Sequence, residues 1–168
     1  MSICSFFGSN IYYENHIKDK IFSLCKKLNI ENNLNEFHLF LNGGFESCSY
    51  CAVKRIKEEH NEIKIKLVLT DSKELYTYNL EFYKEMYDEI IVPISILDAD
   101  NSHSKTENIK KHIIGNCNYL IYFDNKKDRT LSDVICYVKN LRKSNVLILI
   151  VSMYRTKYKI NRLYLNSA

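Results

Sequence analysis

The sequence has little of what usually punctuates a chain. It holds one proline, four glycines and no tryptophan in 168 residues. Beside abundant lysine, asparagine and isoleucine, that scarcity reads as coding bias more than function. No apolar run reaches the ~18 residues that a membrane-spanning helix requires. The opening MSICSFFGSN has no basic region followed by a long apolar one, so it does not read as a secretion signal. The expected location is therefore the cytoplasm, with no membrane partner. There the six cysteines, Cys4, Cys25, Cys48, Cys51, Cys117 and Cys136, are expected to be reduced thiols. Net charge is also small: 24 basic against 20 acidic residues leave +4, and the lysines are spread along the chain. That balance reads as a solvated exterior, and no ordered motif points to nucleic acid.

What is present is a regular alternation of apolar runs and helical spacings. ICSFF (Ile3 to Phe7) reads as a buried first strand, ended by Gly8-Ser9-Asn10. Ile17, Ile21, Leu24, Cys25 and Leu28 follow helical spacing, and Asn29 to Glu36 has loop character. Phe37 to Leu41 reads as a second strand. Glu46 to His60 reads as a helix with Ala52, Val53 and Ile56 inward. IKIKLVL (Ile63 to Leu69) reads as a third strand. The tyrosine-rich stretch from Ser72 to Tyr87 fits a helix or a connection packed through Leu80, Tyr83 and Met86. Asp88 to Pro93 contains EIIVP, a fourth strand closed by the only proline, and Leu97 to Thr106 reads as a polar loop. Glu107 to Asn116 is an expected helix, NYLIYF (Asn118 to Phe123) a fifth strand, Thr130 to Lys143 a helix and VLILIV (Val146 to Val151) a sixth strand.

Strands that are near-continuous apolar runs, alternating with helices, argue for a parallel sheet covered on both faces. The fold class expected is α/β: a Rossmann-like three-layer sandwich with a mainly parallel, doubly wound sheet of about six strands. One domain over residues 1–153 is expected, followed by a basic tail over 154–168 that forms a short helix or a loose extension. In such folds ligands sit beyond the carboxyl ends of the strands, where strand order reverses. The turns at Gly8-Asn10, Gly43-Glu46 and Asp124-Thr130 all fall at strand carboxyl ends.

Phe37 to Glu58, FHLFLNGGFESCSYCAVKRIKE, is the most informative stretch. Two of the four glycines stand side by side in it, between strand and helix. Such a pair lets the chain turn sharply, and it lets an anion approach the N–H groups of the helix start. Both readings stand on the residues alone. Glu46 fits a helix-start charge, a ribose contact or an acid/base group. Cys48 and Cys51 lie on one helix face and read as small core side chains; zinc would need two more ligands, and no second pair has the spacing. His103 and His112 read as isolated surface residues or hydrogen-bonding partners. The tyrosines from Tyr76 to Tyr87 fit a half-buried packed face or a stacking lid.

ICSFFGSN resembles the opening strand and G-H-R turn of the YpsA-like branch of the SLOG superfamily. LNGGFES resembles its G-x-x-G-F-D motif, and IKIKLVL, YDEIIVP and NYLIYFDNKKDRT resemble its later strands in order. The resemblance spans most of Ile3 to Val151. It implies a Rossmann-like domain that binds a nucleotide or a nucleotide-derived small molecule. The ligand-lining residues it implies are Gly8, Ser9, Asn10, Gly43, Gly44, Phe45, Glu46, Arg129 and Thr130. Here the G-H-R turn is Gly8-Ser9-Asn10, Glu46 replaces Asp, and the glycines of the late D-x-x-x-G-G-T turn are Asp128 and Arg129. With those cationic and glycine positions gone, the expectation is a sensor or regulator without efficient catalysis. A phosphoribohydrolase-like N-glycosidase using Glu46, and a non-enzymatic interaction protein with a disused crevice, are the alternatives. No cofactor and no metal are expected, and a homo-oligomer is compatible with the sequence.

Overall fold

The computed structural model describes residues 2–8, 15–41, 43–76, 80–97, 105–124, 137, 147–154 and 157–164. The strands are β1 (Ile3–Gly8), β2 (Glu36–Leu39), β3 (Lys64–Val68), β4 (Glu89–Ile91), β5 (Tyr119–Asp124), β6 (Leu147–Tyr154) and β7 (Lys157–Tyr164). The helices are α1 (Asn15–Asn32), α2 (Gly44–Glu59), α3 (Leu80–Met86), α4 (Ile94–Leu97) and α5 (Lys105–Asn116), with a 3-10 turn over Ser72–Tyr76.

The strands form one sheet in the order β4-β3-β2-β1-β5-β6-β7. Neighbours from β4 to β6 pair in parallel, and β7 runs antiparallel to β6. The chain is thus α/β with a mainly parallel sheet, consistent with a Rossmann-like fold. Strand order runs outward one way from β1 to β4, then reverses at β5. The reversal point lies between β1 and β5, where Gly8 pairs with Phe123.

Strand periodicity divides the core in two. Cys4 and Phe6 of β1, Phe37 and Leu39 of β2, Ile65 of β3, and Ile121 and Phe123 of β5 pack with Ile17, Ile21, Val53 and Ile56 of α1 and α2. The alternate residues Phe7, Val68, Leu120 and Tyr122 pack, with Phe40 just beyond β2, against Ile109, Ile113 and Ile114 of α5. Successive strand side chains point to opposite faces, so β1, β3 and β5 each serve both cores.

Three local expectations change. α1 continues to Asn32, through the start of the stretch read as loop. Asn33 then takes φ 51°, a left-handed conformation that asparagine tolerates and that ends helices. The Asn29 amide bonds the Leu34 carbonyl at 3.1 Å and Asn35 Oδ1 at 2.8 Å, fixing the exit. Ile94–Leu97 forms a single helical turn at the edge of the expected loop, and α5 begins at Lys105 inside it. Residues 157–164, read as a short helix or loose extension, instead form β7. Its alternation of lysine, tyrosine and isoleucine suits an edge strand. The helix expected over Thr130 to Lys143 lies outside the described residues, apart from a helical position at Tyr137.

The tyrosine-rich segment packs as the helical reading expected. Leu80 and Tyr83 lie against Leu67, Leu69 and Ile96, and Met86 lies against the α1/α2 core. The Tyr87 ring lies tilted against Tyr50, with centroids 5.1 Å apart, whereas Tyr76 is exposed.

Candidate functional site

β2 ends at Leu39, and α2 begins five residues later. Gly43 makes that passage with φ 128° and ψ −153°, a region closed to residues with a Cβ. Its carbonyl accepts hydrogen bonds from the Ser47 N–H and the Ser47 hydroxyl, each at 3.1 Å. Gly43 and Ser47 are exposed and Gly44 is half-buried, so these three residues form the solvent-facing lip of the turn.

The next two residues point inward. Phe45 is fully buried and stacks on Phe123 with ring centroids 5.5 Å apart. A Cβ at Gly8 would lie 2.7 Å from Phe123 Cβ and 2.9 Å from the Phe45 ring. Gly8 therefore leaves the space that lets the first turn of α2 seat over the β1–β5 boundary. Glu46 is 3% exposed in that same turn, at the positive end of the helix dipole. Of the residues implied to line a ligand, Gly8 and Phe45 meet at the reversal point, and Gly43, Gly44 and Glu46 flank Phe45 at the start of α2. Gly8 and Phe45 are packing partners beneath the surface. Ser9, Asn10, Arg129 and Thr130 lie outside the described residues.

The same edge carries a cation that the sequence reading missed. Lys105, the first residue of α5, bonds the Leu41 carbonyl, and its ammonium lies 2.7 Å from Glu74 Oε1. Glu74 in turn accepts from the Thr70 N–H at 2.7 Å, and Asn108 donates to the Thr70 carbonyl at 2.9 Å. This network ties the carboxyl ends of β2 and β3 to the start of α5. Its members are spread over the chain, so spacing gave no signal.

A second polar group lies on the α5 face, nearer the amino ends of the strands. Glu36, His38, His112 and Cys117 are all buried. Glu36 Oε1 lies 2.7 Å from His38 Nε2 and 3.1 Å from Lys66 Nζ. His38 Nδ1 lies 2.9 Å from His112 Nε2, and His112 Nδ1 lies 3.4 Å from the Asn116 amide nitrogen. Burial opposes the Glu36 charge, but the His38 and Lys66 hydrogen bonds outweigh it and hold its carboxyl below the usual range. Burial pushes His38 down, with the Glu36 carboxylate restoring part of the loss. Burial, then the neighbouring His38, brings His112 down to about 4, and burial drives the Cys117 thiol up to about 12.

Burial thus favours the neutral form of both imidazoles, and the tautomers follow from their hydrogen bonds. Ionised Glu36 requires a proton on His38 Nε2. His38 Nδ1 is then an acceptor, so His112 Nε2 carries the proton between the rings. His112 Nδ1 accepts from Asn116, and every bond in the chain has one donor.

His112 is therefore a buried, hydrogen-bonded residue and not an isolated surface one; His103 lies outside the described residues. One signal pointed to this group. A histidine within an apolar strand of a sheet covered on both faces must find a buried polar partner.

Cys48 lies in the α1/α2 core and Cys51 packs against it, the placement that the core reading gave them. No helix among the described residues is long and apolar enough to cross a membrane. No family model matches the chain, and no curated protein matches it.

Proposed function

We propose that the protein is a SLOG-like domain of the three-layer, doubly wound type that binds a nucleotide-derived ligand at the carboxyl edge of β1, β2 and β5. It acts there as a cytoplasmic sensor or regulator without efficient catalysis. The observation that carries this reading is Gly43. Its positive φ opens the α2 N-terminus beside the point where strand order reverses, the place where open parallel sheets take their ligands. The positive end of a helix dipole favours a phosphate, and Gly44 lets it approach the backbone. The motif order from ICSFFGSN to NYLIYFDNKKDRT supports the same reading. The burial of Glu46 supports a role other than that of a solvent-accessible acid or base.

A second reading is an interaction protein whose crevice is closed. The Phe45–Phe123 stack against Gly8 favours it, because aromatic rings occupy the seam beneath the turn.

A thermal-shift screen against nucleoside mono-, di- and triphosphates and dinucleotides separates the two. The ligand-binding reading expects a saturable rise in Tm with at least one compound, lost in Gly44→Val. No rise across the panel selects the interaction reading. Release of free base from a nucleoside monophosphate, abolished by Glu46→Gln, would show catalysis and overturn the non-catalytic part.

A further inference from the structure

We propose that His38, His112 and Cys117 form a binding site for a single zinc ion, with Glu36 as the group that orients His38. One nitrogen from each imidazole and the Cys117 sulfur lie within 4.8 Å of one another, and all three residues are buried. A tetrahedral ion with bonds of about 2.0 Å to nitrogen and 2.3 Å to sulfur separates its ligand atoms by about 3.3–3.6 Å. The 2.9 Å contact between His38 Nδ1 and His112 Nε2 therefore opens by only a few tenths of an ångström, and the sulfur closes in.

The three residues sit on stiff supports. His38 is inside β2, between β1 and β3. His112 is in the middle of α5. Cys117 follows directly, its N–H bonded to the Ile113 carbonyl at 2.9 Å, so the last turn of α5 fixes its position.

The surroundings also match what a zinc-bound histidine needs. A ligating imidazole donates its other N–H to a carboxylate or carbonyl, which sets the tautomer and the ring plane. His38 already does this: Nε2 faces Glu36 at 2.7 Å while Nδ1 faces the ion position. Lys66, also paired with Glu89 at 2.8 Å, holds Glu36 on the far side of the ring, so the carboxylate supports the site without entering it. A set of two imidazoles and one thiolate selects zinc over magnesium or calcium, which take oxygen ligands. A fourth position is left for a water or another small ligand.

The proton count follows from the tautomers. His38 Nδ1 already carries a lone pair. The His112 proton moves from Nε2 to Nδ1, where solvent beside the exposed Asn116 accepts its hydrogen bond, since the Asn116 amide N–H is held by the His112 carbonyl at 3.0 Å. The Cys117 S–H bond gives up its proton to solvent, and the sulfur keeps the pair for the metal. One proton is released for each zinc bound.

The test uses the full chain stripped with a chelator and then dialysed. Titration with Co²⁺ is expected to give a thiolate-to-cobalt charge-transfer band that saturates at one equivalent and disappears on adding Zn²⁺. A pH indicator in weak buffer is expected to record one proton per zinc. Cys117→Ser should abolish the band, Cys51→Ser on the opposite core should keep it, and Glu36→Gln should weaken zinc binding about ten- to a hundredfold. Circular dichroism of each variant checks that it folds. If the wild-type protein binds neither ion at stoichiometric concentration, or if the band survives in folded Cys117→Ser, the site does not exist. The wild-type titration decides the matter even if a variant fails to fold. A negative nucleotide screen leaves this result untouched, since the two sites lie at different ends of the sheet.

Discussion

The two faces of the sheet are built from alternate residues of the same strands, yet they solve burial differently. The α1/α2 face presents apolar strand residues: Phe6, Phe37, Leu39 and Phe123 meet Ile17, Ile21 and Val53. The α5 face is apolar toward the carboxyl ends, with Phe7, Phe40 and Val68, but carries Glu36, His38 and His112 further back. β2 shows the contrast within four residues. Glu-Phe-His-Leu sends two side chains to each face. An apolar face gains stability roughly in proportion to the area removed from water, whichever neighbours provide the cover. A buried polar face gains only if each donor finds its acceptor, so it fixes particular partners.

The largest effect sharpens this contrast directly. Phe37→Ala is expected to lower stability by about 3–5 kcal/mol through a cavity in the α1/α2 core. His38→Ala is expected to cost about 2–3 kcal/mol, because it strands buried polar groups on both sides of it. Denaturant melts of His38→Leu, His112→Leu and the double variant then measure the pairing. A coupling energy above about 0.5 kcal/mol is expected. Strict additivity would show that the ring–ring hydrogen bond contributes nothing.

The second test uses pH, on metal-free protein, because the α5 face carries the buried pair His38 and His112. His112 is held near 4 in the fold by burial and by His38, against about 6.5 when unfolded. The unfolded chain therefore binds the extra proton first. Stability is full above about pH 6.5 and falls as pH drops toward 4, by about 3 kcal/mol at most. His38, lowered in the same direction, adds to the slope, and Glu36 adds to it further down as pH falls through its lowered value. Lys66 and Cys117 stay protonated across this window. Urea melts between pH 4 and 7 should show a slope that largely disappears in His112→Gln. An unchanged slope in that variant would place the titrating group elsewhere.

A third test addresses the reversal point. Gly8→Ala is expected to cost about 1–3 kcal/mol, since the added methyl overlaps Phe123 and the Phe45 ring. Pairing it with Phe45→Leu should recover part of the loss. No recovery would mean that the clash with Phe123 dominates.

The smallest effect separates the two glycines of the turn. Gly43→Ala should cost about 1 kcal/mol or more, because φ 128° is strained for any residue with a Cβ. Gly44→Ala, in the first turn of α2, should change stability little and act on ligand response instead. Equal losses in the two melts would break that division.

Much of the fold was legible along the chain. Apolar runs and helical spacing located β1 to β6 and helices α1, α2 and α5 to within a few residues, because burial on both faces of a sheet leaves a local mark. The Gly43-Gly44 pair was legible for the same reason: a positive φ is a demand made by one residue. Boundaries were less so. Asn29 to Asn32 read as loop by composition, yet the asparagine amides cap and extend α1. Residues 157–164 read as a tail because a polar edge strand carries no continuous apolar run.

What the sequence determined by itself is therefore the order of elements and the place of the glycine turn, both set by interactions between near neighbours. Tertiary structure alone decided the rest. It closed the Gly8 seam with Phe45 and Phe123, and it brought Lys105 to Leu41 and Glu74 across 64 and 31 residues. It also set His38 against His112 across 74 residues. The physical reason is that each of these groups is ordinary in its own stretch. Their chemistry comes from burial and from a partner, and the sheet order supplies both.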